Sequence, residues 1–330
     1  MSRALVTGGG GFLGGAICRR LREHGHRVVA MQRSPAPALA AMGVEVVQGD
    51  LADGAAVARA AQGCDQVFHV AAKAGHWGSF EDYYNANFVG TENVVRACRS
   101  NGIARLVYTS TPSVVHAGHD LEGVDEGTPY ATHYLAHYPH TKMLAERLVL
   151  AENGPDFATV ALRPHLIWGP GDQHLLPRIV ARAKAGRLKF IGAKGKRIDT
   201  TYIDNAVDAH LLAAQRLFPG SEHAGRAYFI SNGEPMPIED VINGLLDCAG
   251  LPAVHARVPY RVAYAAGWLL EQIYGKLKLQ GEPLMTRFVA EHLASAHWYN
   301  IGAAARDFGY VPRVSMAEGF ARLKAALRAA

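Results

Sequence analysis

Tyr138 and Lys142 stand four positions apart in the run Y-P-H-T-K. On a helix that spacing turns both side chains to one face. A free tyrosine has a pKa of roughly 10 and is a poor acid or base near neutrality. A neighbouring ammonium stabilises phenolate and lowers that value. The pair can therefore pass a proton to or from a carbonyl oxygen, with Tyr138 as general acid and Lys142 as its electrostatic support. The same lysine can hold ribose hydroxyls. Upstream, a strand-like run ends Tyr108-Thr109-Ser110-Thr111-Pro112-Ser113. A hydroxyl there should polarise the same oxygen. Thr111 is the choice, with Ser110 and Ser113 as competitors; hydroxyls at a strand end otherwise satisfy backbone groups.

A dinucleotide would supply the redox partner. Gly8, Gly11 and Gly14 lie in T-G-G-G-G-F-L-G at 7–14, after an apolar run and before a helical pattern. Glycine lets the chain turn sharply and lets a pyrophosphate approach the helix N-terminus, where free N–H groups point outward. The strand–turn–helix setting makes this a dinucleotide loop. An acidic residue at the end of the second strand would bond the adenosine ribose and favour NAD. Here that strand ends Met31-Gln32-Arg33-Ser34, without a carboxylate. Arg33 can pair with a 2′-phosphate and Ser34 can add a hydrogen bond, so NADPH is expected. Asp50, before Leu51, can accept from the adenine amino group. Small residues at Ala71 and Ala72 would let the cofactor lie against the backbone.

The elements that must position these groups follow from periodicity. Strands are expected at Ala4–Thr7, Arg27–Met31, Val44–Val47, Asp65–Val70, Arg105–Thr109 and Ala158–Leu162. Helical patterns fall between them, at Gly14–Glu23, after the cap Asp53, around Tyr83–Arg99 and around His137–Glu152. This alternation predicts an α/β fold, a Rossmann-type doubly wound parallel sheet, with ligands bound at the strands' C-terminal ends. After Gly169-Pro170-Gly171-Asp172 the regularity breaks. Residues 1–174 are read as the NADP-binding domain and 175–330 as a smaller substrate lobe of short helices and many prolines. Segments of that lobe are expected to return to the main sheet, with Ala227–Ile230 its clearest strand. Tyr260–Tyr274 carries a broad apolar helical face, which suits packing within the lobe, a cover for alkyl chains, or a membrane or partner surface.

Composition sets wider bounds. The chain has 330 residues, 49% of them hydrophobic, and a net charge of +5. That allows a large core. The scattered basic excess suits anionic substrates rather than nucleic acid. Four distant cysteines suggest neither a disulfide framework nor a zinc site, and point to a reduced, cytoplasmic setting. No signal peptide and no membrane span are expected. Sixteen histidines without H-x-x-x-H or H-E-x-x-H spacing lead to the expectation of no metal. His137 and His140, with no carboxylate adjacent in sequence, read as loop or surface residues.

In their order along the chain these motifs resemble the extended short-chain dehydrogenases/reductases. The carrying residues are T-G-G-G-G-F-L-G at 7–14, D-L at 50–51, H-V-A-A at 69–72, N-F-V-G-T at 87–91, Y-T-S-T at 108–111, Y-P-H-T-K at 138–142 and L-R-P at 162–164. The resemblance implies that Phe12, Leu13, Leu51 and Pro164 also lie beside the cofactor. W-G-P-G-D at 168–172, Y-I-D-N at 202–205 and F-G-Y-V-P at 308–312 are similar to the 3β-hydroxysteroid dehydrogenase branch. A-A-K-A-G-H-W-G at 71–78, I-W-G-P-G-D-Q-H-L-L-P at 167–177 and Y-F-I-S-N-G-E-P at 228–235 resemble the bacterial 2-alkyl-3-oxoalkanoate reductases of long-chain olefin biosynthesis. That family implies NADPH-dependent reduction of a long-chain 2-alkyl-3-ketoacid to the 3-hydroxyacid. It also implies a homodimer and assembly with a β-lactone synthetase and a β-lactone decarboxylase. Its steroid relatives imply peripheral membrane contact. A departure is Thr111, where many relatives have serine. A steroid or sterol dehydrogenase and a nucleotide-sugar epimerase or dehydratase share the motifs and remain alternatives.

Overall fold

The alternating first half folds into parallel strands joined by helices, in a computed structural model that describes residues 2–329. Five strands come first: β1 (Arg3–Thr7), β2 (Arg27–Gln32), β3 (Glu45–Gln48), β4 (Gln66–His69) and β5 (Arg105–Thr109). Ala158–Pro164 and Arg226–Ile230 complete a seven-stranded sheet. Its order is Arg226–Ile230, Ala158–Pro164, β5, β4, β1, β2, β3. Every pairing in it is parallel. The order reverses direction at β1, so a crevice opens at the C-terminal ends of β1 and β4.

Helices cover both faces, which is why the central strands are buried on both sides and largely apolar rather than alternating. On one face α1 (Phe12–Glu23) and the helix Ile203–Arg216 pack with Ala4 and Val6 of β1 through Ile17, Leu21 and Val207. On the other, Leu5 of the same strand joins Val57, Val94, Cys98 and Val149 from the helices Gly54–Ala60, Gly90–Ser100 and His137–Ala151. Asp53 caps its helix as expected, accepting from the amides of Ala55 and Ala56.

Two expectations change. The pattern around Tyr83–Arg99 is not one regular helix. It runs as Phe80–Tyr84, a π-turn at Asn85–Val89, and Gly90–Ser100. The helices of the second half are also longer than expected. Ile203–Arg216, Tyr260–Leu277 and Met316–Ala329 each exceed three turns. Prolines there open helices, as Pro237 and Pro259 do at the caps, instead of breaking them.

A second sheet has the order Met236–Pro237, Arg197–Ile198, His297–Tyr299, Leu121–Val124. It takes one strand from the first half and three from the second. Among the described residues no helix is long and apolar enough to cross a membrane.

Candidate active site

The glycine loop closes on itself. Gly8 has φ +72°, and its amide donates to Met31 O at 2.8 Å. A Cβ there would lie 2.9 Å from Ala71 Cα. A Cβ on Gly14 would run into the Gly8 carbonyl. Only hydrogen fits at either place, so α1 begins hard against the strand and its N-terminal amides face the crevice. This cradle of bare backbone fits a dinucleotide pyrophosphate.

A single cleft of about 1840 Å³ runs from this loop across the strand ends. That exceeds the ~300–1,000 Å³ of a typical small-molecule pocket and leaves room for two ligands. Gly8, Gly11, Phe12, Leu13, Gly14, Arg33, Ser34, Asp50, Leu51, Ala71, Ala72, Thr111, Tyr138 and Pro164 all line it. Arg33 is exposed at the β2 end, and no described carboxylate forms an ion pair with it. Gln32 takes the place where an acid would favour NAD. Its Nε2 donates to Ser34 O at 2.8 Å, while its Oε1 is buried without a partner. Asp50 Oδ1 accepts from the Ala52 amide at 2.9 Å.

Tyr138 sits in the first turn of His137–Ala151 and faces the cleft. Burial pushes its phenol up to about 12, with the Thr111 hydroxyl working the other way. The lowering expected from Lys142 is therefore not what the chain's own groups produce. Lys142 lies behind the lining, fully buried. Its Nζ donates to Thr109 O at 2.6 Å and stands 4.1 Å from the centre of the Tyr108 ring. Burial lowers this ammonium to about 7, against the attraction of Glu146.

The three candidate hydroxyls differ. Thr111 Oγ1 accepts from the Ser113 amide at 3.2 Å and caps the short 3₁₀ turn Pro112–Val114. It is also the hydroxyl felt by Tyr138. Ser110 Oγ is buried without a partner. Ser113 meets Thr111 Oγ1 at 3.3 Å.

Asn87 was legible only as part of a motif, yet it joins the two halves of the site. It is 1% exposed, in the π-turn. Its Oδ1 accepts from Lys73 N at 2.7 Å; its Nδ2 donates to Lys73 O at 3.1 Å and to Thr141 Oγ1 at 3.0 Å. Behind it runs a buried relay. Thr7 Oγ1 accepts from the amides of Val70 and Ala71 and so gives its proton to His69 Nδ1 at 2.7 Å. His69 Nε2 then donates to Thr91 Oγ1 at 2.9 Å, which donates to Asn87 O at 2.5 Å. Burial lowers His69 to about 3, so the ring is neutral. A signal existed in the sequence: N-F-V-G-T puts Asn87 and Thr91 at helical spacing facing β4.

Beyond Tyr138 the cleft is walled by Leu166, Ile179, Phe190, Ile191, Phe288 and Leu293, with Arg182 and Lys189 also lining it. The helix Tyr260–Leu277 does not line it. Its buried side, Ala263, Gly267 and Glu271, faces the helix Arg287–Ala294, where Glu271 pairs with Arg287 at 2.6 Å. Val262, Trp268, Leu269 and Leu277 point to solvent, with Trp268 at 50% and Leu269 at 52% exposure. Neither packing within the lobe nor a cover over the cleft accounts for them.

His137 and His140 both lie in the first turn of the helix His137–Ala151; His137 is exposed, but His140 is half-buried and stacks on Tyr134, so it is not the loop or surface residue expected. Four other histidines gather. His116, His165, His292 and His297 come from four separate segments, a grouping that local spacing cannot reveal.

Comparison with known proteins agrees with this geometry. The chain is 54% identical to 2-alkyl-3-oxoalkanoate reductase of Stenotrophomonas maltophilia, over 98% of each chain. It is 50% identical to the protein of the same name from Shewanella oneidensis, over 99% of this chain and 87% of that one. In fold it matches UDP-glucuronic acid 4-epimerase from Bacillus cereus in complex with NAD, with a TM-score of 0.76, 21% identity and 99% of each chain covered. Residues 5–259 match the 3-beta hydroxysteroid dehydrogenase/isomerase family. The chain is thus an oxidoreductase on a Rossmann fold, and it belongs to the 3-beta hydroxysteroid dehydrogenase/isomerase family.

Proposed function

We propose that the protein is an NADPH-dependent reductase that converts the 3-keto group of a long-chain 2-alkyl-3-oxoalkanoic acid to the 3-hydroxyl. The observation that carries this reading is the continuity of the cleft. One cavity joins the glycine cradle, Tyr138 and Thr111, and an apolar chamber able to take alkyl chains. The relatives named 2-alkyl-3-oxoalkanoate reductase support the substrate class.

Each residue has a role in this reading. Gly8, Gly11 and Gly14 receive the pyrophosphate, while Phe12, Leu13 and Leu51 shape its bed. Arg33 and Ser34 hold the 2′-phosphate, and Asp50 accepts from the adenine amino group. Ala71, Ala72 and Pro164 flank the nicotinamide end. When bound, the nicotinamide supplies hydride to the carbonyl carbon. Thr111 orients the carbonyl oxygen by donating to it, and Tyr138 gives that oxygen its proton. Lys142, now behind the lining and bonded to Thr109 O at 2.6 Å, reaches the ribose by exchanging that bond when the dinucleotide is bound. A phenol held near 12 stays protonated at neutral pH, which suits a proton donor in the reductive direction. Arg182 and Lys189 favour an acid substrate. The exposed apolar face of Tyr260–Leu277 serves peripheral contact with a membrane.

The test sets NADPH oxidation with a racemic 2-alkyl-3-ketoacid beside NAD⁺ reduction with a 3β-hydroxysteroid. Faster turnover of the ketoacid is expected. Turnover of the steroid alone would replace this reading with the steroid-type one.

A further inference from the structure

At the wall of the cleft, where His165 and His292 are part of the lining, the four gathered histidines form a second cluster of chemistry-bearing groups. Ring centres lie 4.1 Å apart for His292 and His297, 4.9 Å for His165 and His297, and 5.2 Å for His116 and His292. The ligating nitrogens of His116, His292 and His297 all fall within 4.8 Å of one another.

Hydrogen bonds fix the free nitrogen on two of the rings, His297 and His165. His297 is 1% exposed, and its Nδ1 donates to Ser295 O at 3.0 Å, so its Nε2 carries the lone pair. His165 is 3% exposed, and its Nδ1 meets Asp199 Oδ1 at 2.7 Å, leaving Nε2 as its free nitrogen. His165 Nε2, His292 Nδ1 and His297 Nε2 are buried with no hydrogen-bond partner. Buried polar atoms are ordinarily paired, and three orphans in one cluster call for an occupant. An imidazole that gives one N–H to a carbonyl or carboxylate and turns the other nitrogen inward has the orientation of a metal ligand.

We propose that His116, His292 and His297 together bind one divalent cation of the zinc class. Imidazole donors suit zinc, copper, nickel and iron, whereas calcium and magnesium require oxygen. The carboxylate of Asp199 is engaged by His165 and by the Tyr299 amide at 3.0 Å. It orients a ring instead of ligating. His116 must exchange one bond for the ion, either the one its Nε2 makes with Ser295 Oγ at 3.1 Å or the one its Nδ1 accepts from Gly118 N at 3.1 Å. Ser295 Oγ keeps its bond to Glu291 O at 2.9 Å.

The ion would tie three segments together: the loop after the 3₁₀ turn that follows Thr111, the helix Arg287–Ala294 and the strand His297–Tyr299. That helix supplies Phe288, Val289, His292 and Leu293 to the cleft. The site is therefore a clamp that holds the substrate wall, separate from the proton-transfer groups.

The experiment uses the full chain, stripped with a chelator and titrated with Zn²⁺ by calorimetry and with Co²⁺ by visible absorption. Saturation at one equivalent is expected, with d–d bands of nitrogen-ligated Co²⁺ and a raised melting temperature with Zn²⁺. His297→Asn and, separately, His116→Gln should weaken Zn²⁺ binding on the order of 100-fold. The exposed control His255→Asn should leave it unchanged. Dinucleotide binding reports whether each variant is folded. Absence of stoichiometric Zn²⁺ and Co²⁺ uptake by the parent chain would overturn the proposal, as would undiminished uptake by a folded His297→Asn or His116→Gln variant. Should both variants fail to fold, the parent chain's Co²⁺ spectrum decides.

Discussion

Asn87 Nδ2 donates to Thr141 Oγ1 at 3.0 Å, three residues along the helix from Tyr138. The other contacts of the same amide hold the backbone of Lys73, next to Ala72 at the cleft. One side chain thus sets the distance between the dinucleotide bed and the proton donor. A misplacement of about 1 Å at a reacting centre can cost ~100-fold in rate. Asn87→Ala should therefore lower kcat on the order of 100-fold with a smaller change in KM for NADPH. Steady-state kinetics on the folded variant checks this; a change confined to melting temperature would make the residue merely structural.

Tyr138→Phe keeps the ring and removes the proton. Turnover should fall by about 10²–10⁴-fold, the usual contribution of a general acid. NADPH binding, followed by fluorescence, should persist. Retained turnover would remove Tyr138 from the chemistry.

Arg33→Glu replaces a cation by an anion at the end of β2. A hydrogen bond to a charged group contributes about 1.5–3 kcal/mol, or about ten- to a hundredfold in binding. KM for NADPH should rise by about that factor while KM for NADH holds or falls. An unchanged NADPH/NADH preference in kcat/KM would show that Arg33 does not read the 2′-phosphate.

Lys142 makes stability depend on pH. Its folded pKa is lowered to about 7 by burial, well below the unfolded value of roughly 10.4. Between those values the unfolded chain binds the extra proton, so this group makes stability rise with pH across that window. Below about 7 both states carry the charge and the burial cost is fully felt. Lys142→Met removes that cost. Its stability relative to the parent should be most favourable below pH 7 and should decline steadily toward pH 10. Urea unfolding at a series of pH values measures the slope; a flat difference would mean the buried ammonium carries no such cost.

The outward face of Tyr260–Leu277 gives a further prediction. Trp268→Glu combined with Leu269→Glu should abolish co-sedimentation with anionic phospholipid vesicles and leave ketoacid turnover in solution unchanged. Equal sedimentation of parent and variant would reject the membrane contact. Both side chains are half-exposed, so folding should survive.

The main sheet was legible because its strands are short apolar runs, β1 and β3 closed by glycine, and because α1, the Asp53 cap and the strand Arg105–Thr109 are local features. Tyr138 was expected at the cleft from its helical spacing to Lys142 taken together with the glycine loop and the preceding strands, and it lines the cleft while Lys142 does not. Three things were not legible, each for a physical reason. The π-turn at Asn85–Val89 has no local signature, since its extra residue is stabilised by tertiary bonds from Asn87. The state of Tyr138 depends on burial, and the spacing to Lys142 says nothing of where Nζ is drawn; it is drawn to Thr109 O. His116, His165, His292 and His297 are brought together by the second sheet, whose strands His297–Tyr299 and Leu121–Val124 are far apart in the chain.

The buried relay from Thr7 through His69 and Thr91 to Asn87 and Thr141 contains no formal charge, because burial holds His69 neutral down to about pH 3. The spacing between the two halves of the cleft is consequently indifferent to ionic strength. Added salt can act only on exposed charges such as Arg33, where screening sets in beyond about 8 Å at physiological concentrations. Salt titration should therefore raise KM for the phosphorylated cofactor and leave kcat at saturation untouched, which separates recognition from alignment in one kinetic experiment.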